Sequence, residues 1–422
     1  MKKGLVISWY FPPINSSEGI CTFKLLKNSK FEYDVFTQKN DKSWSYDTNE
    51  ESLTSPNIHP IYAESSSIED WVKKGIQYGV EHIKEYDFIM SRSMAPESHE
   101  IALALKEKFP DIMWIASFGD PITNNPYLKL IERVSPYKVR GTGVLEKHSI
   151  KYVLSPKRIL KNWFWNYKDK KYKRKHTRLY KDKVLQEQVF KKCNRIIFNN
   201  PYQQEFMLQG YEEKVTRKAL LLPHGYDEDF YDKKVKENST KTKKISYLGH
   251  LDETRTPKNF LLALERLREN KKTLFNSLEI DIYGNMSDQD KVYLVDHDLC
   301  EVVKFKKPVK YLESLKIMQE SNLLLLVDAN LGKVLPKNIF YAAKLADYIG
   351  SGRNIFAITM LDGPSADIVK EVGGVVSSHS VEDIYNNLVM ILEGKTSIKN
   401  TKDEKYNMKT IAKTFDKEID KK

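Results

Sequence analysis

The chain opens on a short apolar run, Leu5–Trp9, that Pro12-Pro13 closes. Similar runs recur through the first half at Tyr33–Thr37, Asn57–Tyr62, Asp87–Ser91, Ile112–Ser117, Arg195–Asn199 and Leu220–Pro223. They are almost unbroken by polar residues, as expected of strands covered on both faces. Between them, apolar residues recur at helical spacing near 18–28, 67–85, 96–108 and 182–193,. Strands alternating with helices predict βαβ units and a parallel sheet.

The alternation pauses over the polar stretch Asp227–Lys243, which contains Lys233-Lys234 and Asn238-Ser239-Thr240 and reads as a linker,. It then resumes with strands at Lys244–Leu248, Glu279–Tyr283, Val302–Phe305, Leu323–Val327, Ile355–Thr359 and Gly374–Ser377. Helices are expected near 257–270, 311–319, 337–349, 364–371 and 381–394, and a last amphipathic stretch near 402–419 carries Ile411 and Phe415. The organisation predicted is α/β, with two doubly wound domains in tandem. They span 1–226 and 244–398, joined by a linker at 227–243 and followed by a helix within 399–422 that is expected to pack back on the first domain. Ligands of such sheets bind at the carboxyl ends of the strands, here facing a cleft between the domains.

Composition narrows the class. No apolar run approaches the ~20 residues of a transmembrane helix. Lys2 and Lys3 ahead of Gly4–Ile7 resemble the start of a signal peptide, but no small-residue cleavage site follows, and a first buried strand is the expectation,. Cys21, Cys193 and Cys300 have neither disulfide-scaffold nor zinc spacing, which suits a reducing cytoplasm,.

The net charge of +12 is not spread evenly. Residues 151–192 hold 15 Lys/Arg against 3 Asp/Glu, which leaves 54 of each in the rest of the chain. This basic stretch, part of an insertion at about 140–192, is also aromatic: Trp163, Phe164, Trp165, Tyr167 and Tyr172 lie among Lys161, Lys168, Lys171 and Arg174. Ser155-Pro156 reads as an N-cap and first-turn proline, with Leu160, Phe164 and Tyr167 on one helical face,. Such a helix can lie in the headgroup region of an anionic membrane, with Lys161, Trp163, Phe164, Trp165, Lys171 and Arg174 as contacts. A solvated helical hairpin or an acceptor-phosphate contact is a second reading. Nucleic-acid binding is a third, to which the neutral remainder lends no support.

Three places carry candidate chemistry. The loop after the first strand, Asn15-Ser16-Ser17-Glu18-Gly19, precedes a helix, and its backbone N–H groups with Gly19 suit a diphosphate,. An ordinary βα turn fits it equally. In Tyr247-Leu248-Gly249-His250-Leu251-Asp252-Glu253-Thr254-Arg255-Thr256-Pro257-Lys258, Thr256 and Pro257 read as N-cap and N1, so Arg255 stands at a strand-to-helix junction where a guanidinium can grip phosphate oxygens; from spacing alone, an ordinary surface Arg and Lys is the other reading,. In Lys344–Arg353, at the end of a helix expected to begin near Gly332–Asn338, Asp347 is a candidate to accept from sugar hydroxyls; an ordinary solvated helix carboxylate is the other reading, against which Tyr348-Ile349 suggests a partly buried face. Ser91-Arg92-Ser93 ends another strand, with His99 in the next helix; Ser91, Arg92 and His99 are acceptor-side candidates, although a structural bond suits His99 as well.

Four stretches in order now support a resemblance: Tyr10-Phe11-Pro12-Pro13 with Gly19; Leu222-Pro223-His224-Gly225-Tyr226-Asp227; Tyr247 through Arg255 with Phe260–Leu264; and Lys344 to Gly352. Together they resemble the GT-B-fold glycosyltransferases of the large retaining family 4, over most of the chain outside the basic segment. The resemblance implies two Rossmann-like domains. The second would bind a nucleoside-diphosphate sugar, and the first a glycan or lipid-linked acceptor in bacterial surface polysaccharide or glycoconjugate synthesis. It implies donor contacts by Gly19, Gly249, Arg255, Lys258, Lys344 and Asp347. Arg255 and Lys258 match the family's pyrophosphate-binding pair, and Asp347 matches its ribose-binding glutamate. The partner glutamate aligns with Ile339, whose side chain cannot hydrogen-bond. Asp120 stands where many members place a histidine near the transferring sugar, and with Arg255 it is the candidate catalytic pair. No cofactor and no metal are expected, since no Asp-x-Asp lies near the donor site. The expected location is the cytoplasmic face of the plasma membrane. A non-catalytic partner subunit with a degenerate donor site is the alternative that Ile339 and Asp347 favour.

Overall fold

The computed structural model describes residues 1–39, 50–134, 178–235, 242–252 and 254–421. Every expected strand is present, within a residue or two at the ends. The first sheet contains β1 (Lys3–Ile7), β2 (Glu32–Gln38), β3 (Ile58–Ala63), β4 (Phe88–Arg92), β5 (Met113–Phe118), β6 (Arg195–Phe198) and β7 (Ala219–Leu221). Their spatial order is β3-β2-β1-β4-β5-β6-β7, with every pair parallel. Helices α1 (Ser17–Lys27), α2 (Ile68–His82), α3 (Glu97–Lys108), α4 (Pro126–Val134), α5 (Arg178–Lys192) and α6 (Pro201–Leu208) connect the strands.

The second sheet is built the same way from β8 (Lys243–Leu248), β9 (Leu278–Tyr283), β10 (Val303–Lys306), β11 (Leu323–Val327), β12 (Asn354–Ile358) and β13 (Val375–Ser377). Its order is β10-β9-β8-β11-β12-β13, again parallel. Around it lie α7 (Lys258–Asn270), α8 (Asp288–Asp296), α9 (Tyr311–Glu320), α10 (Ala343–Ser351), α11 (Pro364–Glu371) and α12 (Val381–Leu392). In both sheets the order reverses beside the first strand of the lobe, so loops diverge there and leave a crevice at the strand carboxyl ends.

The two crevices face each other because the lobes share a core. One apolar cluster runs from Val6, Phe23 and Met90 through Tyr226 and Tyr231 to Leu248, Tyr311 and Leu345. The last helix, α13 (Met408–Asp420), is amphipathic and closes this seam from outside. Its Ile411, Phe415 and Ile419 join the cluster, and Asp416 accepts from Ser29 Oγ at 2.6 Å and Lys30 N at 3.1 Å on the first lobe.

The helix expected over 337–349 is a shorter one. Residues 337–342 form no helix: Asn338 Oδ1 accepts from Phe340 N at 2.9 Å and Tyr341 OH donates to His224 O at 3.1 Å across the lobes. Tertiary bonds override the helical spacing there, and α10 begins only at Ala343. The membrane-contact candidates Lys161, Trp163, Phe164, Trp165, Lys171 and Arg174 lie outside the described residues. Among the described residues, no helix is long and apolar enough to cross a membrane.

Candidate active site in the cleft between the lobes

A cavity of about 300 Å³ lies where the two sheets point at each other. Asn15, Ile20, Cys21 and Lys24 line it from the first lobe, and Gly249, Tyr283, Asn285, Val309, Tyr311, Lys344 and Asp347 from the second.

The second lobe brings two cations here. After β8 the chain turns through Gly249 at φ +140°, a region that L side chains rarely adopt, and a Cβ there would stand 2.1 Å from Lys344 Nζ,. Glycine is therefore what lets the lysine reach the strand end. Asp252 then folds the next residues: its Oδ1 accepts from Thr254 N at 2.8 Å, Thr254 Oγ1 at 2.6 Å and Arg255 N at 2.9 Å,. This turn holds Arg255 against the gap, where Tyr247, Tyr127, Asp328 and Asp252 surround its guanidinium. Its Nε is buried with no hydrogen-bond partner among the described residues. Lys344, in the first turn of α10, donates to Tyr247 OH at 3.0 Å and sits 4.3 Å from that ring's centre. Burial, reinforced by Arg255, pushes its ammonium down to about 7. Two cations held together in a desolvated place, with no carboxylate among the described residues bonded to either, form a ready anion site.

The first lobe faces them with a carboxylate. Asp120 follows β5, and burial, with Glu18 next, pushes it up to about 6 while Arg255 draws it down. Glu18, in the first turn of α1, is buried, and its Oε1 is 2.9 Å from Arg92 Nε. Arg92 in turn donates to Ser117 Oγ at 2.6 Å. A Cβ on Gly119 would lie 2.7 Å from Glu18 Oε2, so the bare glycine leaves room for that carboxylate beside Asp120.

Asp347 lies deeper. Its Oδ1 accepts from Lys24 Nζ of α1 at 2.8 Å and from Tyr311 OH at 2.9 Å. Lys24 is 0% exposed. Burial works against its charge, but Asp347 more than reverses that and holds it above the ordinary value.

The remaining candidates are placed otherwise. Gly19 donates its N–H to Ser16 Oγ at 3.0 Å, so that amide caps α1 and does not face a phosphate; its missing Cβ makes room for the Phe11 backbone. Ser91 and His99 are wholly buried and cannot touch an acceptor. Trp114 Nε1 donates to Ser91 Oγ at 2.8 Å, which leaves the Ser91 hydroxyl to donate to His99 Nδ1 at 2.7 Å. Burial, then Arg92, drives His99 down to about 3, so it is neutral. Arg92 is buried against Glu18 rather than open to an acceptor. Lys258 is exposed at the start of α7 and does not line the cavity; Lys344 is the cation beside Arg255 instead. Ile339 is buried, and its carbonyl accepts from Asn200 Nδ2 at 3.0 Å, a bond between lobes.

Glu18, Lys24 and Tyr127 are additions that sequence reasoning did not single out. Tyr127 of α4 crosses the gap: its hydroxyl donates to Asp252 Oδ2 at 2.7 Å and lies 2.8 Å from Thr254 Oγ1. A carboxylate in the first helical turn was the available signal for Glu18. Nothing local pointed to the other two. Among the described residues, no group of three or more His, Cys, Asp and Glu side chains is placed to hold a metal ion.

No protein-family model matches the chain. No curated protein matches it in sequence. Solved structures do resemble it. Sucrose-phosphate synthase from Thermosynechococcus elongatus superposes with a TM-score of 0.64 at 13% identity, covering 100% of this chain and 99% of that one. A glycosyltransferase from Rickettsia africae ESF-5 gives 0.62 at 11% identity, with the same coverage of 100% and 99%. A putative UDP-N-acetylglucosamine 2-epimerase from Listeria monocytogenes gives 0.56 at 11% identity, covering 98% and 95%. At these identities the likeness concerns the fold, which is GT-B: two Rossmann-like lobes facing a cleft. These proteins include a synthase, a glycosyltransferase and a putative epimerase, so function has to be argued from the site,.

Proposed function

We propose that the chain is a glycosyltransferase that moves a sugar from a nucleoside-diphosphate sugar to a glycan or lipid-linked acceptor. The observation that carries this reading is the pair Arg255 and Lys344, two neighbouring cations with no carboxylate bonded to either among the described residues; Lys344 lines the cavity that both lobes share, and Arg255 stands next to Lys344. A diphosphate is the anion that suits them: two phosphates can engage a guanidinium by paired hydrogen bonds and an ammonium as a point charge. The nucleoside would occupy the cavity toward Asp347, and the sugar would lie between Arg255 and Asp120.

As the bond between sugar and diphosphate breaks, negative charge grows on the departing oxygen. Arg255 and Lys344 stabilise that charge at fixed positions, without reorganisation at the moment of reaction. Asp120, ionised above about 6, would take the acceptor hydroxyl's proton or hold the sugar from the first lobe,. Transfer with retention, a role in bacterial surface polysaccharide synthesis and attachment to the inner face of the plasma membrane belong to the same proposal. They rest on the family resemblance and on the basic aromatic segment.

The test is a panel of uridine, guanosine and adenosine diphosphate sugars, offered with envelope glycans and polyprenyl-diphosphate sugars as acceptors. The reading requires acceptor-dependent release of nucleoside diphosphate and a new glycosidic bond in the product. Isomerisation of a donor without an acceptor would instead make this a sugar-nucleotide epimerase. No turnover and no nucleotide binding would leave a scaffold subunit.

A further inference from the structure

One helix of the first lobe is docked on the second. Leu130 of α4 is buried and packs with Ala329 and Leu331, which follow β11. The Tyr127 ring meets Phe340 edge-on, with ring centres 6.2 Å apart. Past that ring, the Tyr127 hydroxyl donates to Asp252 Oδ2 at 2.7 Å. The other oxygen of the same carboxylate shapes the turn: Oδ1 accepts from Thr254 N at 2.8 Å and Arg255 N at 2.9 Å. Asp252 therefore ties the backbone at Arg255 to a side chain of the opposite lobe. The segment that brings Tyr127 is itself braced. Asn125 Nδ2 donates to Pro121 O at 3.2 Å, and Asn125 Oδ1 accepts from Tyr127 N at 2.9 Å. Asp120 belongs to the same connection between β5 and α4, so one short stretch carries both that carboxylate and the brace on the Arg255 turn.

We propose that Tyr127 is a positioning residue of the diphosphate site, lent by the opposite lobe: through Asp252 it fixes the turn that holds Arg255, so the grip on the anion is complete only while α4 is docked. The proposal rests on the donor reading above and adds to it a coupling between the lobes. An ionised carboxylate only accepts. With Oδ2 released, Asp252 is held from one side alone, and Arg255 loses its fixed place. Coupling of this kind is reciprocal: docking of α4 tightens diphosphate binding, and bound diphosphate tightens the docking of α4.

Calorimetric titration with uridine, guanosine and adenosine diphosphates, each beside its nucleoside, tests this on Tyr127→Phe, which keeps the ring against Phe340 and removes only the hydroxyl. For the base that binds, the diphosphate should bind the variant about tenfold more weakly, while the nucleoside changes by less than about twofold. In an Arg255→Ala background the same substitution should cost the diphosphate less than about twofold, because its effect runs through that guanidinium. A hydroxyl that only stabilises the fold would weaken both ligands alike, or act by the same factor in both backgrounds, and either result overturns the proposal. Hydrogen exchange reads the reciprocal effect. Saturating diphosphate should slow the amides of α4 in the unaltered protein and not in Tyr127→Phe; slowing that is equal in both, or absent from the unaltered protein, overturns the proposal as well. If the unaltered protein binds no diphosphate, the donor reading fails and takes the proposal with it. If it binds diphosphate and Tyr127→Phe keeps that affinity, the proposal alone falls.

Discussion

Two sets of charges share one cleft and are treated in opposite ways. Lys24 is closed on Asp347 by a buried hydrogen bond, and Arg92 faces Glu18 as a buried ion pair at 2.9 Å, without hydrogen-bond alignment. A short way off, among the described residues, Arg255 keeps a buried Nε without a hydrogen-bond partner, and Lys344 has only a tyrosine hydroxyl and ring. Buried polar groups are nearly always satisfied, because leaving one bare costs about 1–3 kcal/mol. A fold that closes its ion pairs at the seam and leaves two cations open in the adjoining gap is therefore complete at the first place and awaits an anion at the second. The closed pairs weigh most on stability and the open cations on chemistry, so substitutions at the two places should behave differently.

Lys24→Met should produce the largest effect. It leaves Asp347 buried without its counter-charge, and urea titration should show about 3–5 kcal/mol of lost stability. Arg255→Ala should come next and fall on the other axis. Donor kcat/KM should drop by about 10²–10³, while the unfolding midpoint stays where it was. If Arg255→Ala destabilises the protein as much as Lys24→Met, the contrast disappears.

Lys344→Met should weaken nucleoside diphosphate binding by about tenfold, the loss of one charge-assisted contact. Its stability should move the other way. The folded protein holds this ammonium at about 7, below its ordinary value, so it penalises the fold fully at lower pH and is relieved as pH rises above 7,. Removing it should leave the ligand-free protein at least as stable as the parent, with the widest margin in thermal melts below pH 7.

The same two groups set a pH profile. Donor kcat/KM should rise through about 6 as Asp120 ionises and fall above about 7 as Lys344 loses its proton,. Saturating donor should move the falling limb upward, because the diphosphate stabilises the ammonium. Asp120→Asn should flatten the rising limb. The smallest effect is expected of Lys258→Ala: exposed and outside the cavity, it should change kcat/KM less than about twofold.

The sheets were legible because their strands are nearly unbroken apolar runs, and burial on both faces leaves no other use for Leu323–Val327 or Phe88–Met90. Arg255 was legible for a local reason: a strand end followed by a helix start must present its junction at the cleft. Lys24–Asp347 was not, since a lysine in an amphipathic helix looks solvated until the helix is docked between lobes. Pairing Arg255 with Lys258 failed because Lys258 turns outward at the start of α7, while Lys344 arrives from another element through the space that Gly249 leaves open. Ser91 and His99 share a strand end and a helix face, but those side chains point into the Trp114 and Phe118 layer. The helix α4 was missed altogether, and with it Tyr127, which braces the Asp252 turn from the first lobe.

The account depends most on the claim that the open cations hold a diphosphate. Isothermal titration of the ligand-free protein with a nucleoside, its monophosphate and its diphosphate, repeated on Arg255→Ala, measures that directly. The diphosphate should bind at least about a hundredfold more tightly than the nucleoside, in line with two charge-assisted contacts, and Arg255→Ala should erase most of the difference. Equal binding of nucleoside and diphosphate, or an Arg255→Ala protein that still prefers the diphosphate by the same factor, would contradict it.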